Sequence, residues 1–181
     1  VRRVLLASLA ALASCALPPN VSVGNRVMLD GARAGFQSCA VSVEFGGAPR
    51  ALHETEAARY TSGIGKRLQI DGLTYEATSM VQTAVCACRE AQFSNADIRQ
   101  AEQAFARNPN VKMQPVAGRP FARSVIGLDT LYPEPEIAGD QALLVFPLNA
   151  PRCIFILGGK FEANAPEALR TFFATLEPIG K

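Results

Sequence analysis

The chain reads as an α+β protein, an antiparallel β-sheet with helices packed on it. Three stretches carry that reading. Val41, Val43 and Phe45 alternate with Ser42 and Glu44, the period-two mark of a half-buried strand. Cys153-Ile154-Phe155-Ile156-Leu157 is continuously apolar and reads as a central strand. Leu169, Phe172, Phe173 and Leu176 fall at i, i+3, i+4 and i+7, so one face of a helix gathers the apolar side chains.

Taken in order, residues 15–36 read as a tether and an irregular lead-in, with Gly24, Asn25, Asp30-Gly31 and Gly35 as turn signals. A single domain over 37–181 follows. After the strand ending at Phe45, Gly46-Gly47-Ala48-Pro49 stops it. Arg50 to Leu68 is ambiguous: Glu54 to Arg59 suits a helix, but Thr61, Gly63 and Gly65 weigh against a long one, and strand is preferred. Asp71-Gly72 lies between Leu68-Gln69-Ile70 and Leu73-Thr74-Tyr75, a two-residue hairpin signal because both turn positions favour positive φ. The second arm runs on to Val85 and its cysteines.

Ser94 reads as an N-cap with Asp97 three residues on, opening a helix whose stripe is Ile98, Ala101 and Phe105 and which Asn108-Pro109 stops. Phe121–Leu128 and Ala142–Leu148 read as strands, with Pro147 at an edge or bulge. Pro166 and Glu167 suit the first turn of the last helix, and Pro178 ends it.

The first residues give an address. Arg2 and Arg3 precede an apolar run from Val4 to Leu12, then small Ala13 and Ser14, then Cys15. This order of charge, grease and small residues is that of a secretory signal, and Leu12-Ala13-Ser14-Cys15 resembles the lipobox of bacterial lipoprotein precursors. The resemblance implies cleavage of residues 1–14 and acylation of Cys15. The apolar run to Leu17 is shorter than the ~20 residues a membrane-spanning helix needs. Pro18-Pro19 favours an extended tether. Ala16 is not the aspartate of an inner-membrane retention signal, so the resemblance implies the periplasmic face of the outer membrane. Val1 reads as an alternative start codon translated literally.

The chain carries 18 Lys+Arg and 16 Asp+Glu, and removing Arg2 and Arg3 makes the signs equal. A neutral body lacks the basic excess that engages phosphates, which argues against a nucleic-acid binder. With no Trp and 7% aromatics, a broad carbohydrate-stacking platform is not expected either. Cys39, Cys86, Cys88 and Cys153 remain in the body. An even count outside the cytosol reads as two disulfides. Cys86–Cys88 is the least favourable pairing, because residues two apart on a strand hold their Cα atoms near the upper limit for a bridge. Cys39 and Cys153 are therefore expected to join Cys86 and Cys88, in an order left open. The alternative is a thiolate site for copper or zinc at Cys86 and Cys88, without the Cys-x-x-Cys spacing of most structural zinc sites. Thiol–disulfide exchange is a third reading, again without Cys-x-x-Cys.

Phe45-Gly46-Gly47-Ala48-Pro49 resembles the Phe-Pro-Gly-x-Pro that opens PsbP-like photosystem extrinsic proteins and the Ran-binding Mog family. Ile154–Leu157 followed by Phe172-Phe173-Ala174-Thr175-Leu176-Glu177-Pro178 resembles their closing strand and helix. The resemblance spans residues 40–178 in element order; Gly46 stands where that family has proline, and the cysteines are outside its pattern. It implies an α/β/α sandwich with a scaffold or binding role.

Other constellations are weaker. Asp129, Glu134, Glu136 and Asp140 among prolines read as a stiff acidic loop for partner contact, without EF-hand spacing. His53 between carboxylates, with no nucleophile motif nearby, reads as a surface residue. Gly63-Ile64-Gly65-Lys66 falls short of a phosphate loop. Phe172 and Phe173 read as core before a lipid pocket. The sequence thus predicts a lipid-anchored, non-catalytic binding or scaffold domain that needs no cofactor, touches the membrane through its anchor and meets an envelope protein. A thiolate metal carrier and a small hydrophobic-ligand carrier are the alternatives.

Overall fold

The structure is a computed structural model that describes residues 21–23, 26–61, 64, 67–107, 111–115, 118–130, 140–161 and 166–179. It is α+β, with antiparallel pairing dominant. The segment expected to be irregular forms strands instead: β1 (Val21–Val23), β2 (Val27–Asp30) and β3 (Arg33–Phe36). The reason is local. Gly31 has φ +60° and is the first central residue of a two-residue turn that closes the Asp30↔Arg33 pair. Ala34 and Phe36 then point inward while Arg33 stays out. A 3-10 turn, Gln37–Cys39, leads into β4 (Val41–Glu44) through Ala40 in the left-handed region.

Residues 50–68 correct the strand expectation. Among the described residues, Arg50–Ala51 is strand β5, Leu68 opens the next strand, and Glu54–Thr61 is helix α1. Its start is capped reciprocally: Glu56 N–H donates to the His53 carbonyl at 3.0 Å, and the Glu56 carboxylate accepts the His53 N–H at 2.8 Å. Its Ala57 is fully buried and packs with Leu68, Ile70 and Val85.

The Asp71-Gly72 hairpin is also corrected. Both residues lie inside β6 (Leu68–Ala77), which pairs with β7 (Met80–Cys88) down to Ala77↔Met80, so the turn falls at Thr78-Ser79. Gly72 serves packing rather than turning: a Cβ there would stand 2.6 Å from Leu52 Cδ1. After β7 come α2 (Asn95–Ala106), β8 (Val111–Pro115), β9 (Ala122–Thr130), β10 (Asp140–Pro147), β11 (Cys153–Phe161), α3 (Pro166–Ala174) and β12 (Glu177–Pro178). Pro178 therefore sits in a short strand after the helix rather than at the helix end. Pro147 does mark a register shift, between Phe146 and Pro147 of β10, though that strand lies between two others rather than at an edge.

The strands form two sheets. Eight strands run β1-β6-β7-β11-β10-β9-β8, with β5 also on β6; four run β12-β4-β3-β2. The large sheet is covered on both faces. On one side the small sheet and α3 pack through Phe36, Val41, Val43, Phe45, Leu169 and Phe172 against Cys86, Val145, Phe155 and Leu157. On the other, Ala57 of α1 and Ile98 of α2 pack with Leu68, Ile70, Val85, Ile154 and Ile156. Sandwiching explains why β7 and β11 are almost continuously buried, so their sequence lacks alternation. Phe36 meets Phe155 edge-on at 5.0 Å, and Phe45 meets Phe172 at 5.1 Å, so aromatic rings fill the space between the layers. Gly159 admits α3, since a Cβ there would stand 2.1 Å from Leu169 Cδ1. Among the described residues no helix is long and apolar enough to cross a membrane.

A candidate four-sulfur site

The cysteines come from three elements that the fold stacks at one point. Cys39 closes the 3-10 turn, Cys86 and Cys88 lie on the same face of β7, and Cys153 opens β11 directly opposite Cys88. Two disulfides result, Cys39–Cys86 and Cys88–Cys153, with Cα separations of 5.9 and 4.1 Å. The expected cross-pairing is thus realised, and its order is settled by register. Cys153 already faces Cys88 across the β7–β11 ladder, which leaves Cys86 for the turn.

All four sulfurs lie within 4.8 Å of one another, and Cys86 Sγ is 3.7 Å from Cys88 Sγ with no bond between them. Cys39 and Cys86 are fully buried, Cys153 nearly so, and Cys88 is only half-buried. Backbone carbonyls face the cluster: Ser38 O is 3.1 Å from Cys153 Sγ and 3.9 Å from Cys88 Sγ, and Ile154 O is 3.6 Å from Cys39 Sγ. Bonded sulfurs carry no proton, so these are contacts in the oxidised protein. They become S–H···O=C hydrogen bonds once a sulfur is reduced.

Asp71 borders the site. It is buried, pairs in register with Cys86 across β6–β7, and accepts the Ser38 hydroxyl at 3.3 Å and the Arg26 N–H at 3.4 Å. It therefore pins the turn whose Ser38 carbonyl looks onto the sulfurs. Neither Asp71 nor Ser38 stands out in the sequence as part of a site. A carboxylate amid Leu68, Ile70 and Leu73 was the available signal, and the Asp-Gly turn pattern absorbed it.

The chain just past Cys88 is braced as well. Arg89 stacks on the Phe93 ring at 3.8 Å and bonds Asp97 at 2.9 Å, while its own N–H donates to the Arg152 carbonyl. Ser94 and Asp97 form the expected capping box: Ser94 N–H donates to Asp97 Oδ2 at 2.7 Å, and Asp97 N–H to Ser94 Oγ at 3.2 Å. Those bonds from Ser94, with Arg89 nearby, hold the Asp97 carboxyl below its usual range.

As a metal site the cluster offers four soft ligands when reduced. The 3.7 Å gap between Cys86 and Cys88 matches the ~3.8 Å edge of a tetrahedron with Zn–S bonds of ~2.3 Å. Charge works against it. The polar atoms facing the sulfurs are carbonyl acceptors, which favour protonated thiols over the thiolates a metal requires.

The remaining candidates fall elsewhere. His53 is exposed, as expected, and its backbone caps α1. Phe172 is core, and Phe173 packs half-buried beside it. Asp129 and Asp140 lie at the ends of β9 and β10, while Glu134 and Glu136 are outside the described residues, as are Cys15, Gly63, Gly65 and Lys66. No family model, no curated protein and no solved structure matches this chain.

Proposed function

We propose that the chain is a bacterial lipoprotein, tethered through Cys15 to the periplasmic face of the outer membrane, whose folded part is a non-catalytic binding or scaffold domain. The observation that carries this reading is the pair of buried disulfides. Such bridges persist in oxidising compartments and are rare in the cytosol, which agrees with the lipobox at Leu12–Cys15. The neutral charge balance of the body points to a protein partner rather than nucleic acid or anionic lipid.

The rim of the small sheet supports this reading. Among the described residues β2 is the last strand of its sheet, and its Met28 and Leu29 are 66% and 54% exposed. A sheet edge with apolar side chains offers both backbone pairing and apolar area to another chain. The metal-carrier alternative requires both disulfides to open and meets the carbonyl lining described above. The hydrophobic-carrier alternative meets interlayer space occupied by Phe36, Phe45, Phe155 and Phe172.

The test is metabolic labelling with radioactive palmitate in a bacterial host, followed by membrane fractionation. Label should enter the wild-type protein and vanish with Cys15→Ala, with the protein recovered from the outer membrane. Unlabelled full-length protein in the cytoplasm, carrying free thiols, would refute the assignment.

A further inference from the structure

We infer that the two disulfides form one exchange unit, in which opening of the Cys88–Cys153 bridge by a dithiol lets Cys88 take over Cys86 and release Cys39. The substrate class is a small dithiol or a cysteine pair on a partner protein. The inference rests on the crowding of four sulfurs within 4.8 Å and on the unbonded 3.7 Å approach of Cys86 and Cys88. Two independent staples would not need that approach.

Access sets the order of events. Cys88 is half-buried and the other three cysteines are buried, so an external thiolate meets Cys88 first. It attacks Cys88 Sγ, the Cys88–Cys153 bond breaks, and the electron pair leaves on Cys153 Sγ. That sulfur takes a proton and donates it toward Ser38 O, 3.1 Å away. The reagent's second thiolate then attacks its own sulfur in the mixed disulfide and expels Cys88 as a thiolate. The dithiol is oxidised to its disulfide, and the protein has gained two electrons.

The third step moves no net electrons. Cys88 thiolate attacks Cys86 Sγ, the Cys86–Cys88 bond forms, and the Cys39–Cys86 bond breaks. Its electron pair leaves on Cys39 Sγ, which takes a proton and faces Ile154 O at 3.6 Å. The two sulfurs freed in this arrangement, Cys39 and Cys153, are the two with a carbonyl closest at hand, whereas Cys88 is 3.9 Å from Ser38 O. That placement offsets the unfavourable span of a Cys-x-Cys bridge along one strand. The release also unfastens the Gln37–Cys39 turn from β7, converting a redox event into a mechanical one.

The experiment uses the full chain with Cys15→Ser, so that four cysteines remain. One molar equivalent of dithiothreitol is added, the reaction is quenched with acid and N-ethylmaleimide, and peptic peptides are mapped by mass spectrometry. Alkylation of Cys39 and Cys153, with Cys86 and Cys88 bridged in a tenth or more of the two-electron-reduced protein, is the expected result. Alkylation confined to Cys88 and Cys153, or to Cys39 and Cys86, overturns the inference. A second variant adds Cys153→Ser, leaving Cys88 as the single thiol without any reductant. Label divided between Cys88 and Cys39 supports exchange; label on Cys88 alone refutes it.

Discussion

Replacing Cys39 and Cys86 together by alanine isolates the contribution of the bridge between the small sheet's turn and the large sheet. The bridge closes a loop with a sequence separation of 47, while Cys88–Cys153 closes a separate loop and stays intact. Loop-closure entropy for that length gives a loss of about 4 kcal/mol at 25 °C on the chain-entropy account. For a chain of this size that corresponds to a fall in Tm of about 8–16 °C. The small cavity left by two missing sulfurs adds to the loss. Because the effect acts on the unfolded chain, the denaturant slope should also rise, as an uncrosslinked chain exposes more surface. Urea titration and calorimetry on the double variant, in the Cys15→Ser background, measure both quantities. A Tm within about 3 °C of the parent, with an unchanged slope, would refute the reasoning, since it would mean that the bridge does not limit the unfolded ensemble.

Three further predictions concern packing, capping and charge. Gly159→Ala should destabilise by roughly 1–3 kcal/mol through overpacking, because the new methyl meets both Leu169 and the Val81 carbonyl, at 2.1 and 2.9 Å; thermal melts with near-ultraviolet dichroism would register it, and an unchanged Tm would contradict the close approach of α3. Ser94→Ala removes the cap of α2 and should cost about 1 kcal/mol in urea unfolding; an unchanged midpoint would refute the cap. The Arg50 guanidinium, and then the His53 N–H, pull the Glu56 carboxyl down to about 2. A depressed carboxylate contributes stability above its unfolded value, and that contribution is lost as pH falls toward 2. For a surface pair it should be under about 1 kcal/mol, visible as a shallower acid limb in Glu56→Gln between pH 5 and 2; identical acid limbs would remove the pair from the account.

Position in the chain decided which features were legible. Ser94–Asp97, the terminal helix through Leu169 and Phe172, and the strand from Cys153 all depend on short-range geometry, so spacing alone was enough to place them. Residues 50–68 misled because the helix over Glu54–Thr61 is short, and its start is set by Glu56 accepting the His53 N–H, a local bond that the glycine count does not weigh. The lead-in misled because its hairpin strands are only four residues long, β2 is mostly exposed, and Ala34 and Phe36 of β3 owe their burial to large-sheet residues such as Phe155, more than a hundred positions away. Asp30-Gly31 and Asp71-Gly72 make the point most directly. The same dipeptide turns the chain in one place and runs straight in the other, where Leu52 fills the room that Gly72 leaves.

By itself the sequence determined the α+β class and the last helix of the fold, and it favoured bridges from Cys39 and Cys153 to Cys86 and Cys88. Those follow from periodicity and from the reach of a bond along one strand. Only the tertiary structure decided which sulfur meets which, that a second sheet rather than helices alone covers one face, and that Asp71 and Ser38 stand beside the cluster. These depend on register between strands tens of residues apart, and a ladder's register is fixed by the whole buried face rather than by any local run of residues.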